Sequence, residues 1–129
     1  LTHYLTVEDV CRINEAEVGP NMLADFGLVE SAVLRPQQSV GSRDAYPGLH
    51  SKAAALFHSL ANNHAFVDGN KRTAVLALIV FYNLNGWQLS VEQDWLIHFA
   101  LTTVQQRLGA PEIAARLSSW VIPLPPPVD

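Results

Sequence analysis

The chain has 129 residues, 49% of them hydrophobic and 16% charged, and a net charge of −4 with histidine neutral. That length and mix fit one domain with its own core and exclude a disordered chain. The acidic balance and the scatter of the basic residues speak against a direct nucleic-acid partner, which a clustered basic face would attract.

A single cysteine, Cys11, excludes an internal disulfide. Leu1–Tyr4 has neither the basic region nor the apolar stretch of a signal peptide. The most apolar run, Ala74–Tyr82, falls short of the roughly 20 residues that span a bilayer. The expectation is a cytoplasmic protein without a membrane partner.

Thr6 predicts a helix N-cap, with Glu8 and Asp9 in the first turn and a stop at Gly19-Pro20-Asn21 after about Val18. A short second helix spans Leu28–Arg35 and ends before Pro36. Pro36–Gly48 reads as a long loop of the kind that forms lids or docking segments. Leu49, Ala53, Leu56, Phe57 and Leu60 recur at helical spacing and predict a helix over Leu49–Asn62. His64 continues that phase and is expected at the end of the buried face. A fourth helix runs from Asn70 to about Leu84; apolar on nearly every side, it reads as the central, surrounded helix. A fifth is expected over Val91–Leu108 and a sixth over Pro111–Trp120, separated by Gly109-Ala110-Pro111. Trp87–Ser90 has strand character, but nothing else in the chain offers it a strong partner. The class is all-α: a compact single-domain bundle of about six helices around a central buried hairpin. Its domain spans residues 1–122, followed by a proline-rich, poorly ordered tail over 123–129.

The chemistry concentrates in His64-Ala65-Phe66-Val67-Asp68-Gly69-Asn70-Lys71-Arg72-Thr73. The segment enters the N-terminus of an apolar helix, where unpaired N–H groups and the helix dipole favour an anion. Gly69 permits close backbone approach to a ligand. Asn70, Lys71 and Arg72 add donors, the lysine as a point charge and the arginine as a planar fork. Asp68 supplies a hard oxygen suited to Mg²⁺ beside a phosphate. His64 supplies an imidazole, the commonest general base in such chemistry. Base, metal ligand and clamp are the parts that phosphoryl or nucleotidyl transfer needs. Each part alone has a bland reading: a packed histidine, a turn, a solvated cation pair. The last is weakened because two cations at a helix N-terminus oppose the dipole unless an anion joins them.

Arg35, Arg43 and Lys52 are candidates for the mouth of the site, Arg43 more simply as a solvated charge. His50, His58 and His64 lack the spacing of a helix-borne metal pair, and His98 reads as a surface or hydrogen-bonded residue. Neither a P-loop nor a dinucleotide-binding glycine pattern is present.

The ten-residue string resembles the signature of the Fic/Doc family, His-x-Phe-x-Asp/Glu-x-Asn-Gly/Lys-Arg, at His64, Phe66, Asp68, Asn70, Lys71 and Arg72. The flanks Tyr4-Leu5-Thr6, Gly27–Ala32, Arg35-Pro36, Tyr46-Pro47 and Lys52–Ala54 resemble its Doc, or death-on-curing, branch, so the likeness spans about residues 4–120. The resemblance implies that His64 is the general base and Phe66 an apolar anchor. It implies that Asp68 holds Mg²⁺ against the phosphates of ATP. Gly69–Lys71 would form an anion hole, with the Asn70 side-chain amide, and Lys71 and Arg72 would clamp phosphate.

Two departures from the larger Fic pattern bear on the reaction. Lys71 stands where many Fic proteins have glycine, and Val75 stands where they have a second arginine. Doc proteins share both features and resemble kinases that bind ATP in a reversed sense, delivering its γ-phosphate to a threonine of elongation factor Tu. The self-inhibitory signature Ser/Thr-x-x-x-Glu-Gly/Asn is absent from the sequence. The resemblance therefore implies a toxin held inactive by a separate Phd-like antitoxin, whose C-terminal helix docks in a groove bordering the first helix and the Pro36–Gly48 loop. An AMP transferase of Fic type and a non-catalytic Fic-fold binding module remain open at this point.

Overall fold

The computed structural model describes residues 1–128; Asp129, the end of the expected tail, lies outside them. Its helices are α1 (Val7–Glu17), α2 (Phe26–Leu34), α3 (Leu49–Asn62), α4 (Asn70–Leu84), α5 (Gln93–Gln105) and α6 (Ala110–Ser118). Two short antiparallel ribbons complete the described chain: β1 (Ser39–Val40) with β2 (Arg43–Asp44), and β3 (Trp87–Leu89) with β4 (Val121–Pro123). The class is the expected all-α bundle.

Caps explain the helix starts. Thr6 Oγ1 accepts the Asp9 N–H at 3.1 Å while Asp9 Oδ2 accepts the Thr6 N–H at 2.8 Å, a reciprocal pair that satisfies two otherwise open donors. Helix α2 begins two residues before Leu28 because Asp25 Oδ1 accepts the Leu28 N–H at 3.1 Å. It runs on into a 3₁₀ turn over Arg35–Gln37 with buried Pro36 inside it. The expected loop from Pro36 to Gly48 is therefore partly regular: a turn, then the β1–β2 hairpin.

The core lies along α3, which packs against α2, α4, α5 and α6. Ala53, Ala54, Ala55 and Ala61 are all buried, and small side chains let neighbours approach the helix from several directions. Phe57 stacks on Phe99 of α5 with centroids 5.6 Å apart. This corrects one expectation. Helix α3, not α4, is the most enclosed helix, since Leu76, Ile79 and Val80 of α4 remain half-exposed. Helix α4 packs on α3, α1 and α5, which sets its N-terminus against the end of α1.

A second correction concerns Trp87–Ser90, which does find a partner. The chain after α6 returns so that Trp87 pairs with Pro123, Gln88 with Ile122 and Leu89 with Val121. The Ser90 N–H donates to the Trp120 carbonyl at 2.7 Å, and the Leu124 N–H to that of Gly86 at 3.0 Å. Pro123, lacking an N–H, sits at the strand end, where a proline is tolerated. No helix among the described residues is long and apolar enough to cross a membrane.

Candidate active site

Helix α3 ends at Asn62, and Asn63 turns extended with φ −83° and ψ 126°. The helical phase therefore stops before His64, which lies exposed in the connection rather than on the buried face where its spacing had placed it. From there the loop is stitched to the chain between α1 and α2. The Ala24 and Asp25 N–H groups donate to the Ala65 carbonyl at 2.8 and 3.0 Å, and the Val67 N–H to that of Met22 at 2.7 Å. Leu23 and Phe66 form an antiparallel bridge. Phe66 is buried, as an anchor should be, whereas Val67 is 72% exposed.

Asn70, the first residue of α4, closes the loop. Its Oδ1 accepts the Phe66 N–H at 3.0 Å, and its Nδ2 donates to the Phe66 carbonyl at 2.8 Å. The amide assigned to the anion hole thus first serves as a clasp on the loop, with one N–H of its Nδ2 remaining. Gly69 adopts φ +77° and ψ 21° and provides no side-chain cap for α4. The N–H groups of Asn70, Lys71 and Arg72 precede the first intrahelical bond, from the Thr73 N–H to the Gly69 carbonyl at 2.8 Å. An uncapped helix start with a basic pair and no acid in its first turn favours an anion.

Glycine at 69 is required twice over. A β-carbon there would meet Val18 Cγ2 at 2.2 Å, and the positive φ disfavours any other residue. Val18 follows α1, so the end of that helix forms the floor beneath the loop.

His64, Asp68, Gly69, Asn70, Lys71 and Arg72 all line one open cleft of about 670 Å³, together with Val67, Glu17, Val18 and Ile97. One oxygen of the exposed Asp68 carboxylate accepts the Gly69 N–H at 2.7 Å. Arg72 Nε lies 3.6 Å from Glu17 Oε1, with both side chains partly exposed. Any anion entering the cleft competes with Glu17 for that guanidinium. Among the described residues no cluster of three metal-ligating side chains occurs. The donor set still fits Mg²⁺, which commonly takes one or two carboxylates and completes its shell with phosphate and water.

The other basic candidates lie elsewhere. Lys52 is buried and donates to Tyr46 O at 2.7 Å and Asp44 Oδ2 at 3.1 Å, tying the β1–β2 hairpin to α3. Arg35 donates to Tyr46 Oη at 2.7 Å and Ser59 Oγ at 3.0 Å and meets His58 Nδ1 at 2.8 Å. Neither lines the cleft, so their expected place at its mouth is not where the fold puts them. Arg43 is exposed on β2.

Sequence reading missed the contribution of α1: Glu17, Val18 and the buried Asn14. Asn14 carried a signal, since it lies one turn after Val10 on the helix face that the fold buries.

Comparison with known proteins shows the family. The model of the Fic/DOC family matches residues 4–82, more than half of the chain. The toxin Doc of Mycolicibacterium smegmatis is 50% identical over 95 residues, which cover 73% of this chain and 73% of that protein. On the strength of both matches, and of a signature loop folded around one cleft, the chain belongs to the Fic/DOC family, in its Doc branch.

Proposed function

We propose that this chain is a Doc-type toxin of a bacterial toxin–antitoxin module that transfers the γ-phosphate of ATP to a protein hydroxyl. One observation carries the reading: the uncapped start of α4, with Lys71 and Arg72, opens into the same cleft as His64 and Asp68. Phosphoryl transfer needs mainly positioning and charge stabilisation, and those groups supply both.

In this reading His64 takes the proton of the attacking hydroxyl, and its exposure on the rim lets a protein substrate reach it. The open backbone N–H groups of Asn70, Lys71 and Arg72 and the Lys71 and Arg72 side chains balance the charge on the transferred phosphoryl group. Asp68 would hold Mg²⁺, which supplies charge neutralisation on the phosphate oxygens when bound. Arg72 exchanges Glu17 for phosphate as the nucleotide enters.

Delivery of the γ-phosphate rather than AMP is favoured by two positions. Lys71 lines the cleft where a glycine would leave room. Val75 is fully buried, so that position gives the cleft no further cation to anchor a terminal phosphate. The proposed acceptor is a threonine of elongation factor Tu, whose modification would stop translation. The proposed regulator is a Phd-like antitoxin docking a helix along α1, beside a shallow depression of about 200 Å³ that includes Cys11, Glu15 and Met22. Neither a membrane nor direct nucleic-acid contact has a part in the mechanism.

The test is label transfer to purified elongation factor Tu with Mg²⁺ and ATP labelled at either the α- or the γ-phosphate. The γ label alone should move, and not with His64→Ala. Movement of the α label would establish an AMP transferase instead.

A further inference from the structure

Asn14 is 2% exposed, and with Val10 it makes up the buried face of α1. Burying an amide is unfavourable unless its hydrogens find acceptors. Here they do: Nδ2 donates to the Asp68 carbonyl at 3.1 Å and to Thr73 Oγ1 at 3.0 Å. These acceptors flank Gly69, one just before it and one a turn into α4. Val18 presses on Gly69 itself. The end of α1 thus holds the loop at Asp68 and Gly69 and the first turn of α4 at Thr73.

The bond to Asp68 has a directional consequence. Across a trans peptide the carbonyl and the following N–H point to opposite sides. Drawing the Asp68 carbonyl inward onto Asn14 therefore turns the Gly69 N–H outward, to the side where it meets the Asp68 carboxylate at 2.7 Å. An apolar residue of similar size would fill the space under the loop but would leave that peptide free to rotate.

We infer that Asn14 is a positioning residue of the phosphate loop: it fixes the Asp68–Gly69 peptide so that the Gly69 N–H holds the Asp68 carboxylate at the cleft. The inference rests on the reading of the cleft as a phosphate site. It assigns Asn14 no contact with the reacting atoms.

The test uses the full chain and three variants. Asn14→Leu removes both bonds at similar volume. Asn14→Asp keeps the shape and can still accept from the Thr73 hydroxyl, but cannot donate to Asp68. Thr73→Val removes the Thr73 bond alone. Two quantities are read well below the melting temperature: the affinity for Mg·ATP, and the position and width of the Gly69 backbone amide resonance. Losing one hydrogen bond to a charged ligand costs on the order of tenfold or more in affinity. The two Asn14 variants should weaken Mg·ATP binding by roughly tenfold or more and displace or broaden the Gly69 resonance. Thr73→Val should change binding by about twofold or less, because the bond to Asp68 survives. If Asn14→Leu does not fold, Asn14→Asp against Thr73→Val carries the same contrast.

Lower melting temperatures with Mg·ATP affinity and the Gly69 resonance unchanged would overturn the inference and leave the phosphate reading standing. A displaced Gly69 resonance in a protein whose wild type binds no Mg·ATP would uphold the positioning of the peptide and overturn the phosphate reading.

Discussion

Two polar assemblies flank α3, and they use charge in opposite ways. Around the β1–β2 hairpin, Lys52 and Arg35 are satisfied internally by the Pro36 and Tyr46 carbonyls, Asp44, the Tyr46 hydroxyl, Ser59 and His58. Around the start of α4, His64, Asp68, Lys71 and Arg72 line an open cleft, and the ion pair found there, Arg72 with Glu17, is a loose one at 3.6 Å. The contrast teaches that basic residues alone do not mark a site. The hairpin assembly turns cations into structure. The cleft keeps them available and uses uncharged groups, Asn14, Asn70 and Gly69, to hold the backbone that carries them.

The largest effect should come from His64→Ala. Losing a general base costs typically 10²–10⁴-fold in rate, while an exposed side chain contributes little to the fold. Transfer should fall by about that factor with the melting temperature nearly unchanged. A fully active His64→Ala protein would remove the base from the account.

Lys52→Met should do the reverse. It leaves the Pro36 and Tyr46 carbonyls and Asp44 without their shared donor, so stability should drop by about 1–3 kcal/mol in denaturant titration. Activity per folded molecule should hold. A stable Lys52→Met protein that had lost transfer would erase the division between the two regions.

The hairpin side should also respond to pH. Burial first, and the Arg35 guanidinium second, hold His58 below its ordinary value. The Nδ1 that faces Arg35 at 2.8 Å must carry a lone pair, which fits the neutral ring. The unfolded chain gains this proton below about pH 6.5 and the folded chain only at lower pH. The His58 contribution to stability is therefore complete above that value and is lost as pH falls toward the folded value. Melting temperatures should decline on acidification, and less so in His58→Asn; equal slopes for both proteins would contradict the assignment.

The smallest change is expected on the cleft side. Glu17→Gln removes the carboxylate that competes for Arg72 and should tighten Mg·ATP binding roughly twofold to fivefold, the scale of an exposed pair. Weaker binding in that variant would mean that Glu17 assists the ligand rather than opposing it.

Much of the fold and of the loop was legible in the sequence, because their elements are local, but the division was not, since Arg35 and Lys52 were expected at the mouth of the cleft that they do not line. The bounds of α3 follow from three- and four-residue spacing, and those of α4 from its continuous apolar run. The loop chemistry follows from ten consecutive residues. What was not legible is long-range. Asn14 reaches partners 54 and 59 positions away, and Ile97 joins the cleft from α5. No periodicity reports such contacts. The pairing of Trp87–Leu89 with Val121–Pro123 was hidden for the same reason, and because a three-residue strand ending in proline carries almost no pattern. His64 was misplaced because spacing extends a helix on paper beyond the point where Asn63 turns extended and ends it.

The most direct test of the central claim, that the open charges at the start of α4 form a metal-assisted phosphate site, is calorimetric titration of ATP into the wild type and Asp68→Ala, each with Mg²⁺ and with a chelator. The account predicts that Mg²⁺ strengthens binding to the wild type and that Asp68→Ala abolishes this dependence while retaining weaker, metal-independent binding through Lys71 and Arg72. Identical Mg²⁺ dependence in the two proteins, or no ATP binding by the wild type, would contradict it.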